Sequence, residues 1–247
     1  MSNFSWNSFP YDTEPLPDKA CLGLELQQQL EAASSLRQLR VGQADADDHL
    51  RLKAWQAGRL AATYADLMAD ERYRAAAHFF LDELYGTHDF TRRDAELARV
   101  LPTLVATLPA RALVTLVAAV RMDALSESLD ADVVIQLRRA GRVASLDAQA
   151  YAEAYRATGR PGDRALQIEL VGQIGRTLDR LTHLPLLGTS LKLMRRPAEV
   201  AGLGQLHRFL QEGYTAFRAM HGAEHFLTTI VERETALMQR LFAGGRP

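Results

Sequence analysis

The stretch Ala110-Arg111-Ala112-Leu113-Val114-Thr115-Leu116-Val117-Ala118-Ala119-Val120-Arg121-Met122-Asp123-Ala124-Leu125-Ser126 decides the fold class. Leu113, Leu116, Val117 and Val120 recur at helical spacing, and Ala112, Val114, Ala118 and Ala119 fill most of the remaining surface. A helix that is apolar on nearly all sides has to be surrounded by others. The reading is therefore a central helix over residues 110–126, entered from Pro109.

Working outward, apolar residues recur at three and four from residue 18 to the end, with almost no sustained alternation. Upstream, a helix is expected over 18–40 with Leu22, Leu26, Leu30, Ala33 and Leu36 inside, and another over 45–68 burying Leu50, Ala57, Leu60, Tyr64 and Leu67. A third is capped by Asp70 and stops at Gly86 after Tyr85, and a fourth starts at Thr91 with Leu97, Val100, Leu101, Leu104 and Leu108 as its stripe and a kink at Pro102. Downstream, helices are expected over 130–140, over 147–157 behind Ser145 or Asp147, and over 162–182, where Gly172 and Gly175 let a neighbour approach. Residues 183–202, with Pro185, Gly188, Pro197 and Gly202, read as a broken stretch and a subdomain break. The amphipathic segments 203–220 and 222–242 read as a hairpin hinged at Gly222.

Residues 1–17 hold Phe4, Trp6, Phe9 and Tyr11 among Pro10, Pro15 and Pro17, which suits an extended arm that packs on its own chain or on a partner. The expected architecture is all-α: a single-domain helical bundle over 18–247 of about ten helices, with that arm and the C-terminal hairpin.

A formal net charge of −1 over 247 residues supplies no bulk field for nucleic acid or an anionic membrane. Cys21 stands alone, so an intramolecular disulfide and a cysteine metal cluster are excluded, and the chain reads as cytoplasmic. The longest apolar run, Ala112 to Val120, is too short for stable membrane insertion.

Polar groups on apolar stripes are the informative sites. Running back from Leu97 by three and four reaches Asp94 and Arg93, so at least one of them points along the buried face. The stripe Leu227, Ile230, Leu237, Leu241 passes through Glu234. A buried carboxylate has to be paired, protonated or set against a cavity. Arg93 is the preferred partner, with Arg233, Arg218 and Arg99 as alternatives, and the expected role is an ion pair that fixes how two helices dock.

His78, His207, Tyr85 and Tyr214 are the residues to test as lining a ligand pocket. No cofactor is predicted, while haem or an apolar ligand between helices stays open. His221-Gly222-Ala223-Glu224-His225 matches an inverted zincin pattern in letters, but Gly222 falls at a helix junction, which makes His221 and His225 weak metal candidates. Lys192, Arg195 and Arg196, beside Leu191, Leu193 and Met194, read as a solvated face before a membrane or phosphate contact.

The wording Phe79-Phe80-Leu81-x-x-Leu84-Tyr85-Gly86 followed by Arg93-Asp94 resembles a family of uncharacterised bacterial helical proteins. Leu193-Met194-Arg195, Pro197-Ala198, Phe209-Leu210, Gly213, Phe217-Arg218 and Arg233-Glu234 agree with it. The resemblance implies that Arg93, Asp94 and Glu234 belong to the family's pattern and carries over no catalytic role. The leading expectation is a non-enzymatic interaction or regulatory module, acting through a helical face or the arm and capable of homodimerising. The alternatives are a helical binding protein or enzyme holding an apolar or haem-like ligand, and then a metal-dependent hydrolase at His221 and His225.

Overall fold

A computed structural model describes residues 17–38, 43–83 and 91–247, with the side chains of Gln43, Glu83, Thr91, Arg92 and Arg93 outside that description. The arm and Tyr85 also lie outside it. The described residues form eleven α-helices and no strand. These are α1 (Lys19–Gln38), α2 (Gln43–Thr63), α3 (Ala65–Ala69), α4 (Arg74–Glu83), α5 (Thr91–Thr107) and α6 (Ala110–Arg139), then α7 (Ala148–Ala157), α8 (Pro161–Thr182), α9 (Leu187–Val200), α10 (Gly204–Ala219) and α11 (Glu224–Phe242).

The central helix is α6, packed against α1, α2, α7 and α8. It is longer than its apolar stretch, because 110–126 and 130–140 are one uninterrupted helix. Ser126 does not break it: its hydroxyl donates to the Met122 carbonyl one turn back, at 2.8 Å, so the helix satisfies its own polar side chain.

Three apolar clusters make the core. Leu22, Leu26 and Leu30 of α1 meet Leu97 and Leu101 of α5 and Leu113 to Val120 of α6. Val133, Val134 and Leu137 of α6 meet Tyr151 and Tyr155 of α7 and Leu237 and Leu241 of α11. Phe79 of α4, Phe217 of α10 and Phe226 of α11 anchor the third.

Of the stripe expected for the second helix, Leu60, Tyr64 and Leu67 are buried and Ala57 is half-buried, but Leu50 is exposed, and Leu52 and Gln56 are buried instead. Between the buried Leu52 and Leu60, Lys53 and Gln56 face Glu127 and Asp130 of α6, polar positions that an apolar stripe does not show. Tyr64 then breaks the run before α3. Asp70 ends α3, and its side chain accepts from the Arg72 amide at 2.8 Å in the turn that leads to α4, while α5 runs on through Pro102.

Helix ends follow their expected chemistry. Asp147 accepts from the Ala150 amide at 2.7 Å, and Gly141 and Gly159 take the left-handed conformation at the ends of α6 and α7. Gly175 lets α8 and α11 touch, since a Cβ there would stand 2.3 Å from Leu227 Cδ2.

Within residues 183–202, expected to be broken, 187–200 form α9, which passes through Pro197 at the loss of one helical amide donor, between turns at 183–186 and 201–202. After the turn at His221 and Gly222, α10 packs on α4, α5, α8 and α9, while α11 packs on α7 and α8. The two therefore share α8 as their common support.

Candidate functional site

A polar seam runs through the interior along one face of α6. Asp123, Glu127 and Asp130 lie at helical spacing, and the cations opposite come from α1 and α2. Arg37 donates to Asp94 and, at 2.6 Å, to Asp123, and its Nε lies 3.4 Å from Glu127. Lys53 reaches the same Glu127 carboxylate at 2.9 Å. One turn along, Gln56 donates to Asp130 at 2.9 Å. Glu234 of α11 accepts from Arg59 Nη1 at 2.6 Å and from the Tyr64 hydroxyl at 2.8 Å. Arg164 of α8 lies with its guanidinium carbon 4.5 Å from the Tyr155 ring centre and donates to Gln167 at 3.1 Å. Burial pushes the Tyr151 and Tyr155 phenols up, opposed by the charge of Arg164.

Asp94 and Glu234 thus each have a described partner, Arg37 in one case and Arg59 with Tyr64 in the other. The alternatives named for Glu234 are engaged elsewhere. Arg233 forks onto Asp66 at 2.8 and 2.6 Å, Arg218 donates to the Thr182 carbonyl at 2.6 Å, and Arg99 donates to the Ala201 and Gly202 carbonyls at 2.9 and 2.6 Å. The Arg93 side chain lies outside the described residues. Arg37 and Arg59 are the two partner cations that the sequence reading missed, together with Lys53 and the α6 acids Asp123, Glu127 and Asp130. The signal for the first was present, because the stripe Leu26, Leu30, Ala33 continues by four to Arg37.

The Arg233 hydrogen bonds hold the Asp66 carboxyl at about 2, below its ordinary value of 3.8. Because the folded value is depressed, this pair's contribution is present above 3.8 and disappears as pH falls through about 2. The Asp66 side chain is 57% exposed, so Asp66→Asn is expected to cost less than about 1 kcal/mol at neutral pH. Urea titrations of both proteins should converge at acid pH. A difference that persisted there would mean that Asp66 acts through something other than its charge.

The remaining site residues are spread out. His78 is exposed on α4. His207 is buried and donates from Nε2 to the Leu191 carbonyl at 2.8 Å, tying α10 to α9. Tyr214 packs over Gly188, whose missing Cβ would stand 2.6 Å from the phenol oxygen. His221 has φ 51° in the turn before α11, so it shares no helical face with His225, which sits on α11 with its ring 5.7 Å from that of Tyr73.

Two grooves are open to solvent. One, of about 780 Å³, lies between α2 and α11 beside Trp55, Arg59, Arg233 and Arg240; the other, of about 850 Å³, lies beside Phe79, Arg195, His207 and Arg208.

The outer surface of α9 is different in kind. Leu193 and Val200 follow at seven-residue spacing, close to one line along the helix, and Leu186 stands just before its first residue; the three are 73, 91 and 76% exposed. Lys192 and Arg196 stack one turn apart beside that line and have no hydrogen-bond or ion-pair partner among the described residues, whereas Arg195 is paired with Glu199 at 3.1 Å. The helix is held firmly from behind. On α5, Arg99 takes the carbonyls that end α9, and the buried Glu96 accepts from the Leu206 amide in the first turn of α10 at 2.9 Å. Those two residues, three apart on one face, fix the corner from which α9 projects.

A family model described as "Domain of unknown function (DUF8198)" matches residues 35–247, a span that contains both stretches on which the resemblance rests. No curated protein matches, and no solved structure matches. Among the described residues, no helix is long and apolar enough to cross a membrane.

Proposed function

We infer that this chain, which belongs to that family of domains of unknown function, is a non-enzymatic interaction module whose contact face is the outer surface of α9. The observation that carries the reading is the exposure of Leu193 and Val200, with Leu186 just before them, on a helix whose opposite face is anchored by Gly188, Ala198 and the His207 bond. Large apolar side chains aligned in solvent mark contact sites more often than scattered ones do. The interior acids and cations engage one another, which suits a docking role between helices. The grooves are open rather than enclosed, which favours a contact face over a chamber for an apolar or haem-like ligand.

The test is photo-crosslinking in cells with p-benzoylphenylalanine in place of Leu193, and in place of Ile135 of α6 as a control site that is also exposed, at 43%. Adducts at position 193 that vanish on Val200→Asp, with none at position 135, are the expected result. Equal yields at the two positions would remove α9 as the contact face.

A further inference from the structure

Resting on that reading of α9, we propose that its partner is an anionic phospholipid surface, on which the helix lies in the plane of the headgroups with Leu186, Leu193 and Val200 turned into the acyl boundary. Of the ten large apolar side chains left exposed by the described residues, six lie between Leu181 and Val200. The same segment carries Lys192, Arg195 and Arg196 against the single carboxylate Glu199, in a chain whose formal net charge is −1. An amphipathic helix with leucines on one line and cations beside them is the pattern that adsorbs to an interface.

Three observations favour a lipid surface over other occupants. Leu186, Leu193 and Val200 stand 73–91% exposed, so they can enter a deformable plane, whereas a rigid partner would need a matching groove. Lys192 and Arg196 form a like-charge pair at i,i+4, an arrangement that is unfavourable for an isolated helix, and both have flexible stems that can carry the charge up to phosphates while the leucines sink. A second copy of α9 would bring the same cations and only Glu199, which Arg195 already engages at 3.1 Å. Leu186 adds to the case. It holds a left-handed φ of 69°, a conformation that favours glycine, and its side chain is 76% exposed. Neither feature helps the free protein, whereas contact with acyl chains gives the side chain a place to go.

The experiment is co-sedimentation of the full chain with sucrose-loaded vesicles of pure phosphatidylcholine, or of phosphatidylcholine with roughly one-third phosphatidylglycerol, at about 0.05 M salt. Binding is expected to the anionic vesicles only. Lys192→Ala with Arg196→Ala should lower the partition coefficient about 25-fold, at about fivefold per cation. Leu193→Asp with Val200→Asp should abolish binding. Leu186→Gly separates binding from folding, since it relieves the left-handed leucine and should keep or raise the melting temperature while weakening partition. The proposal falls if the chain does not sediment with anionic vesicles. It falls equally if binding survives Leu193→Asp with Val200→Asp in a protein of unchanged circular dichroism, because adsorption would then be general electrostatics. If vesicles fail but position 193 still yields protein adducts in cells, α9 remains a contact face and only the lipid assignment is lost.

Discussion

Replacing Arg37 by methionine is expected to lower the free energy of unfolding by about 3–5 kcal/mol, read as a shift of the urea midpoint. The side chain is 10% exposed and faces three carboxylates: it bonds Asp94 and Asp123, and Glu127 lies 3.4 Å from its Nε. Methionine fills much of the space but leaves those acids clustered without their shared cation. Lys53 still reaches Glu127, at 2.9 Å. Arg37→Lys should recover only part of the loss, because an ammonium cannot present a planar fork to carboxylates on two different helices. A change under about 1 kcal/mol for the methionine variant would mean that the acids find other partners and that Arg37 does not organise the seam.

Glu234→Gln is the second large effect, expected at about 2–4 kcal/mol by the same measurement. The amide keeps the shape and one acceptor for the Tyr64 hydroxyl, but it removes the charge that Arg59 meets at 2.6 Å. The Arg59 side chain is 13% exposed, so water replaces that charge poorly. A double-mutant cycle with Arg59→Met distinguishes a specific pair from general disruption. The double variant should be more stable than the sum of the single losses requires, by about 1–3 kcal/mol. Strict additivity would show that Glu234 and Arg59 are neighbours without being partners.

The fold was legible where local chemistry decides it. Asp147 as a cap and Gly141, Gly159 and Gly222 as stops all stand where their side chains, or the lack of one, require. Legibility failed where a polar residue did something other than face water. Ser126 bonds its own helix within a continuous α6, and Gln56 is buried on α2 by meeting Asp130. At 183–202 two prolines and two glycines suggested a break, yet Pro197 removes only one donor, and its own carbonyl accepts from the Ala201 amide at 2.9 Å.

The seam was half legible for a related reason. A carboxylate inside an apolar stripe betrays its burial, which is why Glu234 stood out, but its partner is 175 residues away and arginine is abundant. Arg37 and Glu127 extend the stripes of α1 and α6 by the same rule that exposed Glu234, and both could have been found by following each stripe to its end. The α9 face was visible as letters, with Leu193 and Met194 beside Lys192 and Arg196. Its exposure depends on which side α10 covers, and that is a tertiary fact.

The thirty-residue length of α6 has a consequence for how the molecule comes apart. At 1.5 Å per residue it extends about 45 Å. Its first half supplies Leu113 to Val120 to one apolar cluster, Met122 touches another, and Val133 to Leu137 belong to the remaining one. No cluster can melt without stripping packing from a stretch of the same rod. The three are thereby coupled, and heating should produce one cooperative calorimetric transition in which the van't Hoff and calorimetric enthalpies agree.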